Sequence, residues 1–129
     1  MEEVVLPMKI LIIDDEEDIR DIARFALGQI GKMNVVEAET GDQGIQMAAT
    51  ERPDVILMDV LMPGMDGPAA LAELRKNPAT AEIPIIFLTA RSAKSEIDHL
   101  KSIGADGVLN KPFDPITLAD EVEAVLKGR

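Results

Sequence analysis

Three stretches of this chain run apolar without interruption and then stop abruptly on a polar residue. Lys9-Ile10-Leu11-Ile12-Ile13 gives way to Asp14-Asp15, Val55-Ile56-Leu57-Met58 to Asp59, and Ile85-Ile86-Phe87-Leu88 to Thr89. Apolar runs with no polar alternation mark strands covered on both faces, the situation of a parallel sheet flanked by helices. Asn34-Val35-Val36-Glu37-Ala38 and Gly107-Val108-Leu109 are shorter, weaker strand candidates.

Helical patterns fill the gaps. Ile19, Ile22, Ala23, Ala26 and Leu27 recur at spacings of three and four within the segment 18–30 and so share one face. Gly31 follows as an expected C-terminal stop. Segments 41–50, 68–76, 95–103 and 115–127 read similarly, with Pro68 placed as a first helical residue. Strands alternating with helices predict an α/β domain with a parallel sheet. Right-handed crossovers leave few topologies, and the expectation is a flavodoxin-like (βα)5 fold: a doubly wound, five-stranded sheet of order 2-1-3-4-5.

The 129 residues suit one domain with a real core, and no repeat, low-complexity stretch or internal linker divides them. The expected organisation is an N-terminal extension over 1–7 and one domain over 8–127. No apolar run is long enough for a transmembrane helix, and Met1 to Val5 lacks a signal-peptide layout. Cysteine is absent, which removes disulfide and thiol chemistry and fits a cytoplasmic location. With 24 acids against 13 bases the net charge is −11, which argues against direct nucleic-acid binding through counterion release. The lack of Trp and Tyr removes the usual stacking platforms for single strands.

In a parallel sheet all strand C-termini meet at one edge, where such folds bind ligands. The strands deliver Asp14, Asp15, Asp59 and Thr89 there, with Lys111 just past the last strand. Each has a bland reading taken singly. The acids from Asp14 to Asp18 could be a solvated helix start, Asp59 a turn former, Thr89 a cap and Lys111 a surface charge. One arrangement accounts for all of them, whereas the separate readings need a coincidence at the same edge. Clustered carboxylates repel one another until a proton or cation intervenes. Hard oxygen ligands suit Mg²⁺, for which Mn²⁺ can substitute. A fixed ammonium and a hydroxyl can hold phosphoryl oxygens, and phosphoryl transfer asks little of a protein beyond positioning and charge neutralisation. Asp59, on the strand between the other contributors, is the expected nucleophile.

Four segments resemble one family, response-regulator receiver domains, across roughly Met8 to Leu126. Ile10-Leu11-Ile12-Ile13-Asp14-Asp15-Glu16 is similar to its acidic opening motif, and Leu57 to Gly67 to its phosphoacceptor strand and loop. Phe87-Leu88-Thr89-Ala90 is similar to its hydroxyl segment, and Gly104 to Phe113 to its lysine segment. The resemblance implies a two-component phosphorelay regulator rather than a turnover enzyme, with at most self-phosphorylation and self-dephosphorylation. Asp59 would be phosphorylated from a histidine kinase or histidine phosphotransfer protein. Asp15 would bind Mg²⁺ directly, Asp14 largely through water, and the Leu61 carbonyl would complete the metal site with Asp59. Thr89, Lys111 and the Ala90 N–H would contact the phosphoryl group, and the Lys111–Pro112 bond would be cis. A homodimer through the face made by helix 95–103, strand 107–109 and helix 115–127 is a further implication.

One departure stands out: Val108 occupies a position where the family often carries an aromatic ring that swings on activation. The expectation is that activation is read instead through Thr89 and the following loop, with helix 95–103 shifting. Leu61 and Arg91, two positions after Asp59 and Thr89, fall where the family tunes acyl-phosphate lifetime; a plain loop role stays open for both. His99 is expected to be a solvated or half-buried helix residue, not a catalytic base. Other function classes fit less well. Phosphatases on related folds usually show Asp-x-Asp where this chain has Asp14-Asp15-Glu16. A nucleotide or flavin binder would need a glycine-rich loop after the first strand, which is missing. A docking module that had lost phosphorylation would not need the complete site set. A free single-domain regulator and a module of a longer protein, with its output target on a partner or an attached domain, both remain open.

Overall fold

The computed structural model describes residues 7–129, so all but Pro7 of the expected extension 1–7 lies outside the described residues. Five parallel strands, β1 (Lys9–Ile13), β2 (Asn34–Ala38), β3 (Val55–Asp59), β4 (Ile85–Thr89) and β5 (Gly107–Asn110), pair in the order β2-β1-β3-β4-β5. Helices α1 (Glu17–Arg24), α2 (Gly41–Glu51), α3 (Gly67–Lys76), α4 (Lys94–Ser102) and α5 (Leu118–Lys127) alternate with them. This is the doubly wound order that the alternating runs predict.

Strand periodicity divides the core in two. Side chains alternate between sheet faces, so Leu11, Ile13, Ile56, Met58, Ile85 and Phe87 point to one side. There they meet Ala48 of α2, Ala70, Leu71 and Leu74 of α3, and Leu100 of α4. Ile10, Ile12, Val55, Leu57, Ile86 and Leu88 point the other way, onto Ala23 of α1 and Leu118, Ala119 and Val122 of α5. All twelve strand residues are buried to within 1%, which explains their uninterrupted apolarity. Burying each large aliphatic side chain contributes about 1.5–3 kcal/mol.

Several helix boundaries differ from the sequence expectation. The single helix over 18–30 is an α-helix to Arg24 that continues as a π-helical segment, Phe25–Ile30, closed by Gly31 N–H donating to the Ala26 carbonyl at 3.1 Å. Its buried stripe is Ala23, Ala26 and Leu27, while Ile22 stands at the edge, 44% exposed. Gly31 ends the helix through space rather than through a left-handed turn. Its φ is −81°, and a Cβ there would lie 2.6 Å from that of Ala119 on α5; the left-handed residue is Lys32, at φ 60°. Helix α3 begins at Gly67, so Pro68 is its second residue, and Asp66 caps it by accepting the Ala69 N–H at 2.9 Å. The last helix begins at Leu118 rather than 115, because the Asp114 carboxylate accepts the Ile116 N–H at 2.9 Å and holds a turn ahead of it.

At the N-terminal edge of the sheet, Arg75 on α3 acts as a clamp. It donates to the carbonyls of Ala81 (3.0 Å), Ile83 (2.7 Å) and Gly104 (3.1 Å) and to Asp106 Oδ2 (3.2 Å). Asp106 also accepts the Ile85 N–H at 2.8 Å and Arg129 Nε at 3.1 Å.

Candidate functional site

Strand register assembles the opposite edge. Ile13 pairs with Met58, so Asp14 falls beside Asp59. Asp59 pairs with Leu88, placing Thr89 one residue beyond it. Thr89 pairs with Asn110, so Lys111 follows immediately, its N–H donating to the Thr89 carbonyl at 2.9 Å. Strands β1, β3, β4 and β5 thus each bring a polar residue at or just past their ends to the same place.

Between Asp59 and α3 runs the loop 60–66, anchored at both ends. Val60 N–H donates to the Leu88 carbonyl at 3.2 Å, and Gly67 N–H to the Val60 carbonyl at 2.8 Å. Gly67 must lack a side chain, since a Cβ would stand 2.7 Å from both the Asp59 carbonyl and the Phe87 ring.

The side chains form an acidic cage around one ammonium. Lys111 Nζ lies 3.1 Å from Asp14 Oδ2, 3.3 Å from Asp59 Oδ2 and 3.3 Å from Glu16 Oε1. Asp14 is fully buried and Asp59 only 5% exposed. Burial raises the Asp59 carboxyl above its ordinary range, the Asp14 charge adds to this, and Lys111 and the Leu61 backbone amide pull it partly back. For Lys111 burial acts to lower the ammonium's pKa, but hydrogen bonds and charge from Asp14 and Asp59 outweigh it, leaving the group raised. The site carries more negative charge than one lysine balances.

The acids can hold a cation. One carboxylate oxygen from each of Asp14, Asp15, Glu16 and Asp59 lies within 4.8 Å of the others. Asp14 has both oxygens engaged, Oδ1 by the Glu16 N–H at 2.9 Å and Oδ2 by Lys111. Asp15 is exposed, and among the described residues its carboxylate takes part in no hydrogen bond or ion pair. A set of hard oxygens with one unengaged carboxylate fits Mg²⁺, which keeps several waters and takes one or two protein carboxylates.

Above the acids opens a cleft of about 430 Å³, lined in part by Asp59, Leu61, Thr89, Ala90, Arg91 and Lys111. The Thr89 hydroxyl accepts the Arg91 N–H at 3.0 Å and keeps its own proton to donate. Thr89 does not cap a helix, since Ala93 precedes α4. Leu61 is 63% exposed at the cleft mouth. The Lys111–Pro112 bond is cis, as the resemblance implies. Val108 is half-buried against the core beneath α4, and His99 is exposed on that helix.

Two residues of the arrangement escaped the sequence reading. Glu16 was visible only as the third acid of a run. Arg20, 12% exposed at its side chain, donates to the Asp14 carbonyl at 2.9 Å and reaches Glu37 on β2 at 3.5 Å. The available signal was its spacing of one helical turn from Glu16, which puts it over the β1–α1 junction.

Comparison with known proteins shows the family and agrees with the fold. The model of the response regulator receiver domain matches residues 10–123. Protein PilH of Pseudomonas aeruginosa is 38% identical over 120 residues, covering 93% of this chain and 98% of PilH. The transcriptional regulatory protein YvrH of Bacillus subtilis is also 38% identical over 120 residues, covering 92% of this chain but 48% of YvrH. The chain thus spans about half the length of YvrH and of similar transcriptional regulators. The structure of the chemotaxis response regulator CheY4 of Vibrio cholerae superposes with a TM-score of 0.86 at 32% identity, covering 93% of this chain and 99% of that one. The chain belongs to the response regulator receiver domain family, the signalling regulators of two-component phosphorelays. Among the described residues no helix is long and apolar enough to cross a membrane.

Proposed function

We propose that Asp59 is the phosphoacceptor of a receiver unit spanning 8–127, taking a phosphoryl group from the phosphohistidine of a kinase or phosphotransfer protein in the cytoplasm. The observation that carries this reading is the convergence of Asp59, Thr89 and Lys111 on one cleft through consecutive strand registers, with Asp14 buried against Lys111. An Asp59 oxygen attacks phosphorus, an O–P bond forms, and the P–N bond to the donor imidazole breaks with its electrons leaving on nitrogen. Lys111 and the Thr89 hydroxyl donate to phosphoryl oxygens, together with the Ala90 N–H. Asp14, Asp15, Asp59 and the Leu61 carbonyl would hold Mg²⁺, which neutralises the charge that three carboxylates and an incoming phosphoryl group bring together. The output is a change of shape read through Thr89 and residues 90–100, since Val108 has no ring to swing. A downstream protein or an attached module receives it.

The test follows backbone amide NMR shifts on adding beryllofluoride, a mimic of the aspartyl phosphate, with and without Mg²⁺. Mg²⁺-dependent shifts centred on Asp59, Thr89 and Lys111, spreading through 89–100 and abolished in Asp59→Asn, are expected. A silent site would leave a docking module in place of a phosphoacceptor, and a response confined to the cleft would defeat the proposed route through α4.

A further inference from the structure

Lys111 donates toward three carboxylates, and one of them has no part in the chemistry proposed above. Asp14 and Asp59 belong to the proposed metal- and phosphoryl-bearing set; Glu16, although its carboxylate lies in the same acidic cluster, is not among the residues proposed to hold Mg²⁺. Yet Glu16 Oε1 lies as close to Lys111 Nζ as Asp59 does, 3.3 Å in each case. Glu16 stands at the N-cap of α1 but makes no side-chain capping bond. Its carboxylate reaches across the cleft to the lysine instead.

We infer that Glu16 is a positioning residue: it draws the Lys111 ammonium outward, away from full engagement with Asp14 and Asp59. In the resting site it thereby favours the cation and opposes the phosphoryl group. This rests on the phosphoacceptor reading of Asp59. An ammonium has three protons to donate, and here three carboxylates face it. To donate to a phosphoryl oxygen, Lys111 must release one of them. Asp14 is fully buried and Asp59 7% exposed at the side chain, so neither recovers water when released; Glu16, 58% exposed, does. Glu16 is therefore the partner given up, and while it stays it competes for the lysine and repels the incoming anion.

The consequence is a pair of effects with opposite sign. In Glu16→Gln, Lys111 settles more fully onto Asp14 and Asp59, so Mg²⁺ binds more weakly. Once Mg²⁺ is saturating, the same variant binds beryllofluoride more tightly. Each change is about two- to fivefold, the size an exposed ion pair supplies. Glu16→Asp keeps the charge but is one methylene shorter, and shifts both affinities in the same directions as Glu16→Gln. Glu17→Gln removes the neighbouring exposed acid on the first turn of α1, which is not part of the acidic cluster, and leaves both affinities unchanged at ~0.15 M salt, where exposed charges are screened.

Mg²⁺ titration by amide NMR, then beryllofluoride titration at saturating Mg²⁺, on wild type and the three variants decides the matter. Opposite shifts in both Glu16 variants with Glu17→Gln silent support the inference. Unchanged affinities, or a loss of both together as a simple structural defect would give, overturn it. A Glu17→Gln effect equal to that of Glu16→Gln, or a silent Glu16→Asp, also overturns it by reducing the effect to net charge. A wild-type chain that binds neither Mg²⁺ nor beryllofluoride defeats the phosphoacceptor reading itself, which keeps the two failures apart.

Discussion

The two edges of the sheet each carry a tight cluster of charge, and they are built on opposite balances. At the N-terminal edge one carboxylate, Asp106, sits between two guanidiniums, Arg75 and Arg129, and a backbone N–H. At the C-terminal edge one ammonium, Lys111, sits among three carboxylates. In the first cluster positive charge is sufficient and every acceptor has its donor, so it welds α3 to the start of β4 and to the turn before β5. In the second, negative charge is in excess, which is the imbalance that the proposed Mg²⁺ would offset. Surplus of one sign, rather than the number of contacts, separates the edge proposed to take the phosphoryl group from the edge that holds the fold.

Substitutions should pull the two edges apart. Arg75→Leu strands three carbonyls and takes from Asp106 one of its two guanidiniums, and should lower unfolding stability by about 3 kcal/mol in denaturant titration. Its Mg²⁺ affinity should stay within about twofold of wild type; a large fall would show that the clamp and the acidic site are one unit. Arg20→Met is the converse. Loss of its bond to the Asp14 carbonyl should weaken Mg²⁺ by about tenfold, in the range seen when a partner that orients a metal ligand is removed. Equal Mg²⁺ binding would mean that Glu37 and β2 alone fix the loop.

The smallest effect expected is one of pH. Because the Asp59 carboxyl is raised above 3.8, the folded chain holds that proton more tightly than the unfolded chain. The stability this gives is present below 3.8 and is lost as pH rises through the raised value. At pH near 7 the ionised, buried Asp59 is therefore a burden. Asp59→Asn should raise the thermal midpoint by roughly 3 °C in metal-free buffer. The difference should shrink as pH falls toward 3.8. A variant no more stable than wild type at neutral pH would show that Lys111 already balances the charge.

How much of this was legible in the chain follows from the range of each interaction. The strands were visible because burial on both faces removes every polar residue from them, and their ends located Asp14, Asp15, Asp59 and Thr89. The switch to π-helical winding at Phe25 was not, since Ile19, Ile22, Ala23, Ala26 and Leu27 fit an ordinary helical face as well. Gly31 read as a stop, but its requirement comes from Ala119, 88 positions away in sequence and in contact only after α5 docks. Arg75 and Asp106, likewise, show nothing locally that marks them as partners. Glu16 and Arg20 sat in plain view, but their roles depend on where the Lys111 ammonium and the Asp14 carbonyl come to rest.

The loop 60–66 is pinned at its base by Val60, Gly67 and the absent side chain at position 67, while Gly64 at its tip has φ +77° and open space where a Cβ would go. Such a loop separates what selection or design can vary from what it cannot. Residues can be exchanged or added around Gly64 without meeting the rest of the molecule. At the base, one extra atom at position 67 displaces the carbonyl of Asp59, the proposed phosphoacceptor. Freedom to vary and the constraint on Asp59 are thus divided between the tip and the base of one short loop.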